Sequence, residues 1–366
     1  MKRFHSYLTI TLISITSMTA HANYISRYKA SPLYWSGYIQ GEDISNGIGG
    51  IKRGSVLNGN IDLVANYPLK NSTYFKNGLI KVGVLGATHT QNQNEYTGAI
   101  QSPSSYTSQR EIRISNLSYQ YTYSDNAKTI LGIMDICDNF NLTENANNLL
   151  NNAFTNTMTL VTNTQLATYP YPGFGAVAIF NKKNTKAMFA LFQGAPQHQW
   201  SLFHEGFMLI GELRQDFYPG NEIINNFSIK LGGWIYQQSN HKIGFNSRGL
   251  YVITQADLQI DETLELEPFV HFGYGNESPK YVPYSLTAGF RVPNIFFENK
   301  RDSFSFGYGQ IWIENRRSEV AYEVSYALKI CPNLLLTPDM QIIDRPSGMY
   351  QLAWVFSARL AYTFGK

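Results

Sequence analysis

The sequence predicts an all-β fold: a transmembrane antiparallel β-barrel of about 16 strands, with a short helix in an extracellular loop. Three observations carry that reading. Apolar and aromatic side chains alternate with polar ones along most of the chain. Tyr (25), Phe (22) and Gly (29) are enriched, while hydrophobic content is only 43%. No run beyond the N-terminal segment approaches the roughly 18 apolar residues of a spanning helix. A closed barrel is the remaining way to satisfy every backbone hydrogen bond in lipid. A secreted β-sandwich would share part of the aromatic and glycine enrichment, but not the repetition of one greasy parity from strand to strand.

That parity is clearest near the C-terminus. Over 319–329, Val320, Tyr322, Val324, Tyr326 and Leu328 take one face, and Glu319, Glu323, Ser325 and Lys329 take the other. Side chains alternate faces along a strand, so one side is oily and one can hold water. Over 351–364, Leu352, Trp354, Phe356, Leu360, Tyr362 and Phe364 oppose Gln351, Ser357, Arg359 and Thr363.

From the N-terminus, residues 1–22 read as an export signal: Lys2 and Arg3, a mainly apolar run over 8–15, and the small-x-small site Ala20-His21-Ala22. Residues 23–366 are then expected to be one outer-membrane barrel domain. Strands are expected near 33–41, 53–66, 79–90, 110–123, 128–138, 174–181, 186–194 and 206–215, between Gly, Asn, Pro and Ser clusters. The second half continues at 227–238, 248–260, 263–274, 284–292, 303–313, 318–329, 333–343 and 351–364. An even count brings both ends to the periplasmic side. Within 110–123 the parity switches: Ile112 and Ile114 face out early, but Leu117, Tyr119, Tyr121 and Tyr123 take the opposite register. One extra residue changes faces, so a bulge is expected near Ser115 and Asn116.

The segment 139–156 holds eight asparagines, with Leu149, Leu150 and Phe154 at helical spacing and Thr143 as a candidate N-cap. It either packs on the rim or folds into the lumen, where amides that donate and accept would suit hydroxyl-rich solutes. Cys137 follows a strand, and Cys331 sits in the Cys331-Pro332-Asn333 turn. Long loops and short turns lie at opposite ends of such barrels, so the two cysteines are expected to stay unpaired.

Placing the polar parity inward gives candidate lumen residues Asn58, Asn60 and Asp62; Glu111 and Arg113; Gln255, Asp257 and Gln259; Glu319 and Glu323; Asp339 and Gln341; and Arg359. The opposite choice would put Arg359 against lipid at about 2–4 kcal/mol near the midplane. For any one of them, a wall ion pair or hydrogen bond that merely shapes the barrel is the plainer role. Net charge is +3 with 15% charged residues, too balanced for nucleic-acid binding. Catalytic patterns are poor. His204-Glu205 is followed by Met208 where a zinc protease needs a second histidine, and His198, His241 and His271 have no partner by spacing. Gly47-Ile48-Gly49 precedes a strand and not a helix, so it is no phosphate loop. No cofactor and no metal is implied.

Several stretches resemble the carbohydrate-selective porins of the OprB family. Gly50-Ile51-Lys52-Arg53-Gly54 followed by Asn60-Ile61-Asp62-Leu63 is similar to that family's early strand, and 205–213 (EGFMLIGEL) to a central one. The most specific match is 336–348 (LTPDMQIIDRPSG), similar to the family's penultimate strand and turn, and 132–154 resembles its strand, acidic loop and LN-aromatic segment. The resemblance implies a 16-stranded porin passing small sugars by diffusion. It adds Arg53, Asn116 and Gln120 to the candidate path, although the family usually carries glutamates at the last two positions. The chain ends Phe364-Gly365-Lys366, whereas such barrels commonly finish on the aromatic. Implied partners are small saccharides, outer-membrane lipids and the barrel assembly machinery, in a monomer or a homotrimer, with no nucleic acid. The rival readings are a general, anion or amino-acid porin, a barrel lipase, and a plugged receptor-like barrel.

Overall fold

A computed structural model describes residues 33–69, 77–89, 91–106, 110–220, 223–239, 244–262, 264–276, 282–297 and 301–365. The expected export signal and His241 lie outside the described residues. The first eight strands are β1 Tyr34–Gly50, β2 Gly54–Pro68, β3 Gly78–His89, β4 Glu111–Ser124, β5 Ala127–Met134, β6 Gly173–Lys182, β7 Thr185–Gln193 and β8 Gly206–Phe217. The second eight are β9 Ile224–Ser239, β10 Gly244–Gln259, β11 Glu265–Asn276, β12 Tyr284–Pro293, β13 Asp302–Trp312, β14 Glu319–Cys331, β15 Leu334–Asp344 and β16 Gln351–Gly365. Each pairs antiparallel with its sequence neighbours, and β1 closes on β16 from Ser36↔Gly365 to Gly50↔Gln351. Closure leaves no sheet edge to be solvated in hydrocarbon.

The expected parity is the observed one. On β14, Glu319 and Glu323 are buried inside while Tyr322 is exposed; on β16, Ser357 is buried while Leu352 and Phe356 are exposed. The bulge on β4 is also present. Gly83 of β3 lies opposite Asn116 and Val84 opposite Ile114, so Ser115 is the extra residue. Glu111 and Arg113 therefore face inward before it and Asn116 and Ser118 after it, with Ile112 and Leu117 exposed outside.

β9 and β10 start earlier than expected, at Ile224 and Gly244, and β1 and β5 end elsewhere than expected. β1 runs to Gly50 rather than 41, because Asp43, Ser45 and Asn46, which read as turn formers, pair with Ala358, Phe356 and Val355. β5 stops at Met134 rather than 138. The Asp135 carboxylate accepts from the Cys137 N–H at 2.7 Å and caps a 3-10 turn, Ile136–Asp138, a local bond that competes with the ladder. The shortened β5 leaves the upper edge of β4 without a strand, and the β7–β8 connection covers it: the Gln199 amide donates to the Ile114 carbonyl at 2.8 Å.

Two-residue turns, 125–126, 183–184 and 332–333, lie at the end holding both termini of the barrel, and the long connections at the other. Cys137 is half-buried at the long-loop end and Cys331 exposed at the short-turn end, and both are unbridged.

The bulge makes a specific prediction. Deleting Ser115 restores regular alternation without moving any neighbour to the other face, so the variant should still give a heat-modifiable band on gels. Deleting Ile114 as well as Ser115 makes Arg113 adjacent to Asn116 and so sends Glu111 and Arg113 toward lipid, at about 2–4 kcal/mol for the arginine if it lies near the midplane, and folded barrel should be lost.

Candidate functional site

The lumen is largely occupied by two connections from the long-loop end. The β3–β4 connection carries the single-turn helix α1, Asn94–Thr97, and the β5–β6 connection carries α2, Asn152–Thr155, and α3, Met158–Asn163. The asparagine-rich segment thus takes the lumenal alternative and not the rim. Its short helix begins later than expected: Asn151, not Thr143, caps α2, with its side chain accepting from the Ala153 N–H. Thr143 precedes a 3-10 turn, Glu144–Ala146, and bonds His271 on β11 instead. Leu149 and Phe154 pack with Ala146 against Phe269 of the wall.

Wall carboxylates hold these loops by their backbone. Glu323 accepts from the Leu150 N–H and from the Asn151 N–H, the latter at 3.0 Å. Glu319 accepts from Ile100 N–H at 2.9 Å and Gln101 N–H at 2.6 Å. Gln341 accepts from the Asn151 amide at 3.0 Å and donates to the Pro103 carbonyl at 2.8 Å. Across the bore, Glu144 pairs with Lys230 at 2.6 Å and Arg214 at 2.5 Å, and its N–H donates to Gln255 at 3.1 Å. Burial pushes the Glu144 carboxyl up, but the two cations outweigh it and hold it at about 2.

Over β6–β10 a large part of the inward face is apolar. Ile179, Phe192, Met208, Trp234 and Tyr251 pack against Met134, Phe140 and Leu160 of the loop and its root. Both faces of these strands are therefore greasy in large part: one meets lipid and the other meets the loop.

The opposite wall, β16 through β4, stays polar. Arg359 bonds Glu42 at 3.0 Å and lies over the Tyr106 ring at 5.0 Å, and Tyr106 packs edge-on to Tyr169 at 5.1 Å. The Tyr169 hydroxyl donates to Asn60, and Ser104 donates to Glu42 at 2.6 Å. Arg113 pairs with Glu111 and lies over Tyr171 at 4.5 Å; the Tyr171 hydroxyl donates to Glu111 at 3.1 Å. Ser115 donates to Asp62 at 2.6 Å. Guanidinium groups and ring faces thus alternate along one strip. Beside them both amide atoms of Asn58 and of Asn66, Nδ2 of Asn60 and Nε of Arg359 are buried and make no hydrogen bond to the described residues.

The sequence-derived residues fall into three groups. Asn58, Asn60, Asp62, Glu111, Arg113 and Arg359 lie on this strip, and Asn116 and Gln120 share its inward face on β4. Gln255, Asp257, Glu319, Glu323, Asp339 and Gln341 face inward too, but Gln255, Glu319, Glu323 and Gln341 are spent on loop anchors, Asp339 accepts from Gln341 at 2.8 Å, and Asp257 accepts from Asn145 at 3.4 Å. Gln259 donates to the Asp261 carbonyl at the short-turn mouth. Arg53 is a correction: it stands exposed in the β1–β2 turn, outside either strand, because β2 begins only at Gly54. Glu42 was missed with the second half of β1; the signal was its inward parity with Gln40 and Asn46. Tyr106, Tyr169 and Tyr171 come from loops, where no periodicity marks them.

A model of the carbohydrate-selective porin family, OprB, matches residues 76–364, which excludes the early stretch around Gly50–Leu63. No curated protein matches. Among solved structures, the high-pH structure of Pseudomonas putida OprB aligns with a TM-score of 0.80 at 15% identity, covering 90% of this chain and 94% of that one. Its low-pH structure aligns at 0.63 and 13%, covering 97% and 100%. The outer membrane channel DcaP of Acinetobacter baumannii aligns at 0.57 and 10%, covering 91% and 97%. At these identities the structures establish the fold.

The Glu144 anchor predicts a pH response. Its carboxyl titrates at about 2 in the folded chain against 4.5 unperturbed, so its contribution to holding the loop is complete above pH 4.5 and is lost as pH falls through about 2. Glu144→Gln should raise single-channel conductance and current noise at pH 7, and the wild type should show that rise only in strong acid.

Proposed function

The chain belongs to the carbohydrate-selective porin family, OprB, and on that premise we propose that small sugars cross the outer membrane along the polar strip of β16 through β4. It is a porin, and the family and fold indicate a channel rather than an enzyme. We read 1–22 as its export signal and the rest of the chain as one domain in the outer membrane of a Gram-negative cell.

The observation that carries the path is the division of the lumen. One wall is sealed to the loop in large part by apolar packing, whereas the other carries aromatic faces, two guanidinium groups and buried amide atoms that make no hydrogen bond to the described residues. A pyranose has an apolar C–H face and a rim of hydroxyls. The rings of Tyr106, Tyr169 and Tyr171 offer a surface to the first; Asn58, Asn60, Asn66 and Arg359 offer donors and acceptors to the second. Spreading these contacts along a strip keeps each one weak, as conduction requires. Arg113 and Arg359 are each matched by a wall carboxylate, so this strip has no single-sign ring that would favour ions over neutral solutes.

In this account Glu319, Glu323, Gln341 and Gln255 act through the loop they hold and not by touching solute. Truncating them should widen the bore; truncating the strip should weaken discrimination among sugars.

Two measurements test this. Liposomes containing the channel should swell with small sugars and more slowly as sugar size grows, and a saccharide should partly block conductance in planar bilayers; absence of any sugar effect favours a porin for other solutes. Arg113→Ala should raise conductance and weaken sugar discrimination together, and no change in either would remove Arg113 from the path.

A further inference from the structure

We propose that the short-turn mouth carries an anion site, built from Lys81, Lys128 and Lys186, that receives the carboxylate or phosphate of an acidic saccharide. The proposal rests on the open channel argued above but adds a charged substrate class to it.

Register places all three lysines on the lumenal face. Lys81 on β3 lies opposite Asn66 and Ser118, both buried inside. Lys128 on β5 lies opposite Ile179, which is buried among the inward residues of β6. Lys186 on β7 lies opposite Asn181 and Arg214. Depth places them at one end: Lys128 and Lys186 are the second residues after the tight turns that open β5 and β7, and Lys81 is the fourth residue of β3. They are half-buried, and Lys128 is within electrostatic reach of Lys81, as Lys186 is of Lys128, Arg214 and Lys230.

The lack of ion partners distinguishes this arc. By contrast, Arg113 is matched with Glu111, Arg291 with Glu267, Arg359 with Glu42, and Arg214 and Lys230 with Glu144. Among the described residues no carboxylate pairs with Lys81, Lys128 or Lys186. Glu212 is in reach of Lys186, but its Oε2 accepts from the Asn141 N–H at 2.8 Å and the Tyr251 hydroxyl at 2.6 Å. Like charges left together on one wall repel, and a mobile anion relieves that repulsion. Ammonium groups, as compact point charges with three donors, suit carboxylate and phosphate oxygens alike. Four strand spacings separate β3 from β7, about 20 Å along the wall, so the arrangement is a rail along which an anion passes and not a cage that traps it.

The test uses the full channel in planar bilayers, wild type against the triple variant Lys81→Gln, Lys128→Gln, Lys186→Gln, with glucuronate, inorganic phosphate and glucose added from each side in turn. Glucuronate should block wild-type current more effectively from the short-turn side, and the triple variant should need about tenfold more glucuronate for the same block while its response to glucose stays unchanged. The single variants Lys128→Gln and Lys186→Gln should each give part of that loss, which keeps the test readable if the triple variant fails to assemble. Unchanged glucuronate block in the variants overturns the proposal, and equal potency of phosphate and glucuronate overturns its saccharide part. If glucose affects neither channel, the sugar-path reading falls, while the glucuronate comparison still decides the lysine site.

Discussion

A backbone in hydrocarbon has no water to bond, and that constraint organises this molecule. It forces β1 onto β16, and closure gives every strand one face toward lipid and one toward the bore. Because side chains alternate, the closed wall delivers a polar inner surface wherever the sequence alternates. Two loops descend into the bore, and they are held by the same polar surface: carboxylates of β14 take backbone N–H groups of the loops, and Lys230 and Arg214 take the Glu144 carboxylate. Buried backbone groups must be paired somewhere, and here inward-facing wall side chains satisfy a share of them.

Most of the fold was legible because alternation is a direct physical signature of the wall. The bulge at Ser115 was readable for the same reason, since a parity switch inside one strand has few other causes. The end of β1 was not, because Asp43, Ser45, Asn46 and Gly47 are turn formers by composition and only pairing with β16 keeps them extended. The start of α2 was displaced because several residues of the asparagine-rich loop can cap a helix, and tertiary bonds decide which of them does. Thr143 was already committed to His271.

The site was legible only in part. Parity identified which wall residues face inward but could not say which of them meet solute. Glu319, Glu323 and Gln341 look like ideal pore residues in the sequence, yet in the fold they are anchors. The tyrosines that face Arg113 and Arg359 come from loops whose path no local pattern encodes. Strands β6–β10 carried a signal that parity rules pass over: they hold apolar side chains on parts of both faces, which in a water-filled barrel would be costly, and which here marks the wall the loop covers. The loop turns a wide bore into a one-sided path, and the amide atoms of Asn58, Asn60 and Asn66 that bond none of the described residues lie along that side.

A one-sided path requires the asparagine-rich loop to lie inside the barrel against β15. A channel carrying Asn151→Cys and Gln341→Cys, with Cys137→Ser and Cys331→Ser to remove the native thiols, measures this directly. Nδ2 of Asn151 and Oε1 of Gln341 lie 3.0 Å apart, so a short bifunctional thiol reagent, whose span replaces the two longer side chains, should crosslink the cysteines in the folded barrel while single-channel conductance persists. Failure to crosslink in heat-modifiable, membrane-inserted protein would place the loop elsewhere and contradict the one-sided path.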